Sequence, residues 1–406
     1  MLVTLIPLFD EEMSVRAYSL FAQKANFLLD PSMQGTRQND GATQIAGLEI
    51  IENMGLDTLS ADKEVFVEVN NISIFSDISG QCQAPHDRIV LLIDSTVTPE
   101  KMYVDRLCVL KGMGYKLAMR KLAVKNFETY RSILALCDYI MLDHKNIDIS
   151  KAKIYFTKVY PRIRLCAENI ENQEVFEKLK ADGGYQFYEG EFYRVAVNKG
   201  ETEVSPLKVN YIELLNMVNA SDFELTKAAD IIGQDTALVI LLLKMVNRMS
   251  RNSEITSIRH AAAMLGQREL KKWINTAVAN QLYADKPNEI TRLSLLRAKF
   301  AENMAPLFEM NMQASELFLM GLFSVLDLIL NRSMEEALQM VKVSKEISSA
   351  LVEHKGVFAP VLDFIMQYEN ANWQEVSRLM LVKDIDMDKV YDAYVQSVKW
   401  YRDLFV

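Results

Sequence analysis

The residues that could do chemistry in this chain stand at the ends of short apolar runs. Gly114 to Leu122, Gly-Tyr-Lys-Leu-Ala-Met-Arg-Lys-Leu, reads as a buried strand ending in two cations, Arg120 and Lys121. Carboxylates close other runs of this kind, at Glu68, Asp94, Asp143, Glu168 and Glu189. Such groups can cancel in a salt-bridge cluster, or can leave a cationic pocket that holds an anion without cutting it. Other chemistries have less behind them. The only His-Asp dipeptide, His86-Asp87, follows Pro85 in a loop and reads as coincidence. Cys82, Cys108, Cys137 and Cys166 are scattered with no CxxC pair, which fits free thiols in a reducing cytoplasm and not a zinc site.

The elements that must position these groups alternate. Strand candidates are Val3 to Phe9, Val65 to Val69, Ile89 to Ile93, Tyr115 to Met119, Tyr139 to Leu142, Ile163 to Cys166 and Tyr185 to Tyr188. Amphipathic stretches lie between them. After Ile93, Thr98 can cap a helix, Pro99 suits its first position, Val104, Leu107 and Leu110 fall at helical spacing, and Gly112 or Gly114 ends it. Repeated strand-helix units make a parallel sheet, and this many suit a closed (β/α) barrel, whose strand ends and following loops carry the chemistry. Residues 31–46 are polar and Gly-bearing, a loop leading into a helix near Gln44 to Met54.

After residue 200 the period is helical throughout. Ser221-Asp-Phe-Glu224 forms a capping box, Asp235 can cap the next helix, and Gly266 closes a third. Thr236 to Met249 places Leu238, Leu241, Leu242, Met245 and Met249 on one face as a core helix. Met304, Met310 and Met312 read as core filler, the three tryptophans as buried, and Val390 to Val406 as a closing helix packed on the bundle. The fold class is therefore α/β plus all-α, with domains at 1–199 and 200–406.

Composition sets outer bounds. Half of the 406 residues are hydrophobic, and no stretch approaches the roughly 18 uncharged apolar residues needed to cross a bilayer. The apolar start, Met1 to Phe9, runs into Asp10, Glu11 and Glu12 and reads as a strand and not as a signal peptide. A net charge of -9 without a basic run argues against a nucleic-acid surface.

The order of segments in the first half resembles the EAL domain, the barrel family that hydrolyses cyclic di-GMP with divalent metals. The resemblance places Ser19, in Tyr18-Ser-Leu-Phe-Ala-Gln23, where the family has its first metal-binding Glu, and Gln23 where it has an Arg. Glu68 replaces the Asn ligand, Leu92 the next Glu, and Arg120-Lys121-Leu122 the Asp-Asp-Phe triplet. The Lys-x-Asp motif is Met141-Leu142-Asp143, with the Lys lost. Ala167-Glu168-Asn169-Ile170-Glu171 keeps the family's acidic motif, and Glu189-Gly190 has lost the Gln of the closing pair. The second half resembles the HDOD domain, a helical bundle without metal ligands. The carriers are Ala229 to Asp235, Ser257-Ile-Arg-His-Ala-Ala-Ala-Met-Leu-Gly266, Leu317 to Asp327 and Ser333-Met-Glu-Glu336; neither His260 nor His354 is followed by Asp.

The resemblance implies a two-domain signalling protein of bacterial type. Unit charges about 4 Å apart interact by roughly 4 kcal/mol at an effective dielectric near 20, so a divalent ion facing Arg120 meets on the order of 8 kcal/mol of repulsion where the family has attraction. Metal-assisted hydrolysis needs that ion. The expectation is a cytoplasmic protein that is not an enzyme, binds no cofactor, and acts through a protein partner the sequence does not name. Self-association and a cyclic dinucleotide are the further partners allowed for. The alternatives are a cyclic di-GMP receptor without hydrolysis and a residual phosphodiesterase.

Overall fold

The computed structural model describes residues 1–24, 44–194, 206–220, 222–233, 235–249, 255–282, 288–341 and 343–404. The loop assigned to residues 31–46 lies largely outside these, as do Ser221 of the proposed capping box and the domain boundary at 199/200.

Eight strands close a barrel in chain order: β1 (Leu2–Phe9), β2 (Val15–Gln23), β3 (Glu64–Glu68), β4 (Ile89–Ile93), β5 (Lys116–Met119), β6 (Tyr139–Asp143), β7 (Arg164–Ile170) and β8 (Phe187–Gly190). Seven occupy the expected places. β2 is a strand the periodicity reading overlooked, and β1 runs antiparallel to both its neighbours, so the set is not wholly parallel. A turn of a few residues joins β1 to β2, too short for the crossover that a parallel pair requires. Asp10 builds that turn, its carboxylate accepting from the Glu12 and Ser14 amides at 3.0 and 2.8 Å and pairing with Arg16 at 2.6 Å. Because β1 is reversed, its first residues lie at the end where the other strands finish: Leu2 pairs with Gln23.

The barrel interior is layered. Leu8, Ala17, Phe66, Val90, Leu92, Ala118, Tyr139, Met141, Cys166 and Phe187 form an apolar plug. Towards the strand starts, Glu64 accepts from Lys116 at 2.5 Å and from the Tyr139 hydroxyl at 2.7 Å, and Arg164 donates to that hydroxyl at 2.5 Å. Glu68, Arg120, Glu168 and Glu189 lie on the other side of the plug, at the strand ends.

Around the barrel run α1 (Ala46–Met54), α2 (Lys101–Gly112), α3 (Ile149–Val159) and α4 (Gln173–Asp182), with shorter turns between. α2 buries Leu107 and Leu110 as its spacing predicts, but starts later than Thr98 and Pro99 suggest. Glu100 is extended, and Thr98 donates to its carboxylate at 3.2 Å instead of capping a backbone amide.

The chain divides into two compact units, one of Met1–Val195, Pro306–Glu309 and Asp363–Val406, the other of Ala196–Ala305 and Met310–Leu362. This corrects the expectation that everything after residue 200 belongs to the bundle. The last helices group with the barrel, through bonds their sequence does not advertise. The Val3 amide donates to the Tyr368 hydroxyl at 3.1 Å, Arg402 donates to Thr58 at 2.6 Å, and the N-terminal amine pairs with Asp388 at 3.2 Å.

The helical unit contains α5 (Pro206–Val218), α6 (Leu225–Ile232), α7 (Thr236–Met249), α8 (Ile258–Leu282), α9 (Asn288–Met304) and α10 (Ala314–Phe323). Asp235 caps α7, accepting from the Leu238 amide at 3.1 Å. The buried face of α7 is Leu238, Leu242 and Val246, four apart, whereas Leu241 and Met249 are exposed, so the face is rotated from the one expected. Gly266, at φ 72°, breaks α8 where a helix end was expected. Met304 is core, but Met312 is exposed. Ser333 and Glu336 form a reciprocal capping box. Two further helices, α11 (Ala359–Glu369) and α12 (Trp373–Lys383), lead to the last, α13 (Met387–Asp403), which packs on β1 where packing on the bundle was expected. Trp273, Trp373 and Trp400 are half-buried, not buried.

Candidate functional site

Alternation along β2 decides which of its side chains enter the barrel. Ala17 belongs to the apolar plug, so Ser19, Phe21 and Gln23 follow it on the inner face. Ser19 is buried opposite Phe66. Phe21 lies beneath the Arg120 guanidinium, 5.4 Å from ring centroid to carbon, a stacked cation contact that motif reading did not find. Gln23 donates to the Ser377 hydroxyl of α12 at 3.3 Å.

Arg120 is the centre of the site. It follows β5, its amide donating to the Ile93 carbonyl, and its side chain is only 12% exposed. Its guanidinium forms an ion pair with Glu68 at the end of β3. Burial lowers its pKa while Glu168 and Glu189 act to raise it. Lys121 takes another path: its backbone turns at φ 54° and the residue is exposed. The two cations are thus not a pair facing one pocket.

The carboxylates divide as well. Glu168 and Glu189 are half-buried at the ends of β7 and β8. Burial first, then the charge of Glu189, pushes Glu168 up to about 8; Asp143 adds to this, and Arg120 and Lys121 oppose it. Burial raises Glu189 to about 7, with Asp143 adding, and the Asn169 amide, Arg120 and Arg194 opposing. Asp143 itself is turned to its own loop, accepting from the Lys145 amide at 2.9 Å and the Asn146 amide group at 2.5 Å. Asp94 likewise accepts from the Thr96 amide and hydroxyl at 2.9 and 2.6 Å. Leu92 and Met141 lie in the apolar plug and contribute no ligand atom. Arg194, just past β8 and unnoticed in the sequence, donates to Asn370 at 2.7 Å and faces Glu369 at 3.8 Å.

A divalent ion does not fit this donor set. Leu92 offers no oxygen, Glu68 is held by Arg120, and among the described residues no three His, Cys, Asp or Glu side chains converge to hold a metal. What the arrangement provides is a desolvated guanidinium between one paired carboxylate and two that keep their protons unusually well.

Comparison with known proteins agrees with the division of the chain into two kinds of structure. Residues 204–356 match the HDOD domain. Two curated proteins align along most of the length. The uncharacterized protein YuxH of Bacillus subtilis (strain 168) is 26% identical over 407 residues, 98% of this chain and 97% of that protein. The cyclic di-GMP phosphodiesterase CdgJ of Vibrio cholerae serotype O1 is 28% identical over 325 residues, 79% of this chain and 74% of CdgJ. Among solved structures, an EAL domain protein from Listeria monocytogenes EGD-e aligns at 13% identity and a TM-score of 0.37, covering 47% of this chain and 86% of that one. No helix among the described residues is long and apolar enough to cross a membrane. This chain is an eight-stranded barrel followed by an HDOD domain.

Proposed function

We propose that the chain is a non-catalytic signalling protein of the cytoplasm, in which a degenerate EAL-type barrel and the HDOD domain serve as surfaces for protein partners. The observation that supports this reading is the Arg120–Glu68 ion pair. A guanidinium stands where metal chemistry would need a carboxylate, and it occupies the one carboxylate that might have served instead. Phosphodiester hydrolysis requires a metal, or an equivalent, to activate water and to hold the non-bridging oxygens. Two carboxyls raised to about 8 and about 7 do not replace it. Burial holds both towards the protonated form, and a protonated carboxyl neither binds a cation nor takes a proton from water.

A second reading, a cyclic di-GMP receptor without turnover, is favoured by the buried guanidinium of Arg120 at the barrel mouth, a group that binds phosphate, and by similarity to CdgJ, a protein that acts on cyclic di-GMP. Against it, a phosphate reaching Arg120 must displace Glu68 and come to rest beside Glu168 and Glu189. Calorimetry with cyclic di-GMP, with and without magnesium or manganese, separates the readings. No heat and no turnover is the expected result. Saturable binding at micromolar nucleotide would replace the scaffold reading by the receptor, and hydrolysis would sink both. The double substitution Arg120→Asp with Lys121→Asp is expected to restore no activity, because Leu92 still leaves a ligand missing.

A further inference from the structure

The end of the barrel that carries Arg120, Glu168 and Glu189 is covered on one side by the chain's own C-terminal segment. Three contacts, from β1, from β2 and from the turn after β8, establish this. Because β1 is reversed, the Val3 amide lies at this end, and it donates to the Tyr368 hydroxyl. Gln23, the last inner-face residue of β2 and one inward position beyond the Phe21 that carries Arg120, donates to Ser377. Beyond β8, Arg194 bonds Asn370, and Asn370 in turn donates to Glu191 at 2.8 Å. Residues 368–377 therefore bridge the rim from β8 across β1 to β2. The buried state of Arg120, at a strand end that loops would otherwise leave to water, is consistent with such a cover.

We propose that residues 368–377 are a built-in cover over the β8–β1–β2 side of the barrel mouth, and that solvent or an anionic ligand reaches Arg120, Glu168 and Glu189 more readily when this cover loosens. The cover is held by Arg194 with Glu369 and Asn370, by the Tyr368 contact to β1, and by Gln23 with Ser377. The chain runs into this cover from the helical unit, which it leaves at Leu362 and Asp363. A change in the state of the HDOD domain thus has a covalent route to the mouth of the barrel.

The proposal concerns access, and it stands whether or not the pocket binds a nucleotide. The test is carbodiimide labelling of carboxyls with glycine ethyl ester at pH 6 on the full chain, read by peptide mass spectrometry, with the exposed Glu174 and Glu177 as references. In the unaltered protein Glu168 and Glu189 should label far more slowly than the references. The variant Glu369→Lys with Asn370→Ala should label them about tenfold faster, as a loss of about 1.4 kcal/mol from the closed state gives. A second variant guards against misfolding of the first: Gln23→Cys with Ser377→Cys in a Cys108→Ser background, oxidised to a disulfide, should label more slowly than its reduced form. Reference-like labelling of Glu168 and Glu189 in the unaltered protein would overturn the proposal. So would rates that neither the first variant nor the disulfide alters.

Discussion

Glu168→Gln tests the electrostatics of the site directly. The carboxyl rests at about 8 in the folded chain against an ordinary 4.5, with burial as the main cause and Glu189 as the next. Between these values the folded state keeps a proton that the unfolded chain has released, so stability falls as pH rises, by up to roughly 1.4 kcal/mol per pH unit. Over the whole interval the ceiling is about 5 kcal/mol, and relaxation of the site towards water brings the expected loss to on the order of 2 kcal/mol. Gln mimics the protonated acid. The variant should match the parent near pH 5 and exceed it in stability above pH 8. The assay is urea unfolding at pH 5 to 9 in a Trp273→Phe background, so that the fluorescence of Trp373 and Trp400, both in the barrel unit, reports that unit. Identical pH profiles for parent and variant would refute the claim that Glu168 is held protonated, as would a parent that gains stability relative to the variant as pH rises.

Glu68→Gln removes the charge that pairs Arg120 and should cost about 2 kcal/mol in the same unfolding assay, whereas Arg120→Met with Glu68→Met together should be nearly neutral, because no unpaired ion then remains inside. Gly190→Ala should destabilise the barrel by roughly 3 kcal/mol or prevent its folding: Gly190 has φ 148° and a Cβ there would meet the Ile170 carbonyl oxygen at 2.2 Å. In the helical unit, a Cβ on Gly321 would lie 2.5 Å from the Arg297 backbone. Gly321→Ala should therefore force α9 and α10 apart and lower the melting temperature of that unit, read by Trp273 fluorescence, by several degrees for roughly 2 kcal/mol.

Much of this protein follows from local sequence alone. Short β-branched runs such as Ile89 to Ile93 specify strands wherever they stand, and helical period with Asp235 and Ser333 as caps specifies where helices begin. The types of residue at the strand ends are equally legible, so the placing of Glu68, Arg120, Glu168 and Glu189 at one end of a barrel could be read in advance. Their relations could not. Arg120 and Lys121 are neighbours in sequence, yet a positive φ at Lys121 sends one cation inside and leaves the other in solvent. Asp94 and Asp143 are lost to the turns that follow them, because a backbone amide two residues on is a nearer partner than anything across the mouth. The reversed β1 depends on the length of one turn, and the return of residues 363–404 to the barrel depends on contacts more than 300 residues apart in the chain. Periodicity reports only which face of an element is apolar. It takes the folded chain to decide what that face meets, and here that decides which groups at the barrel mouth share a low-dielectric site and which remain in water.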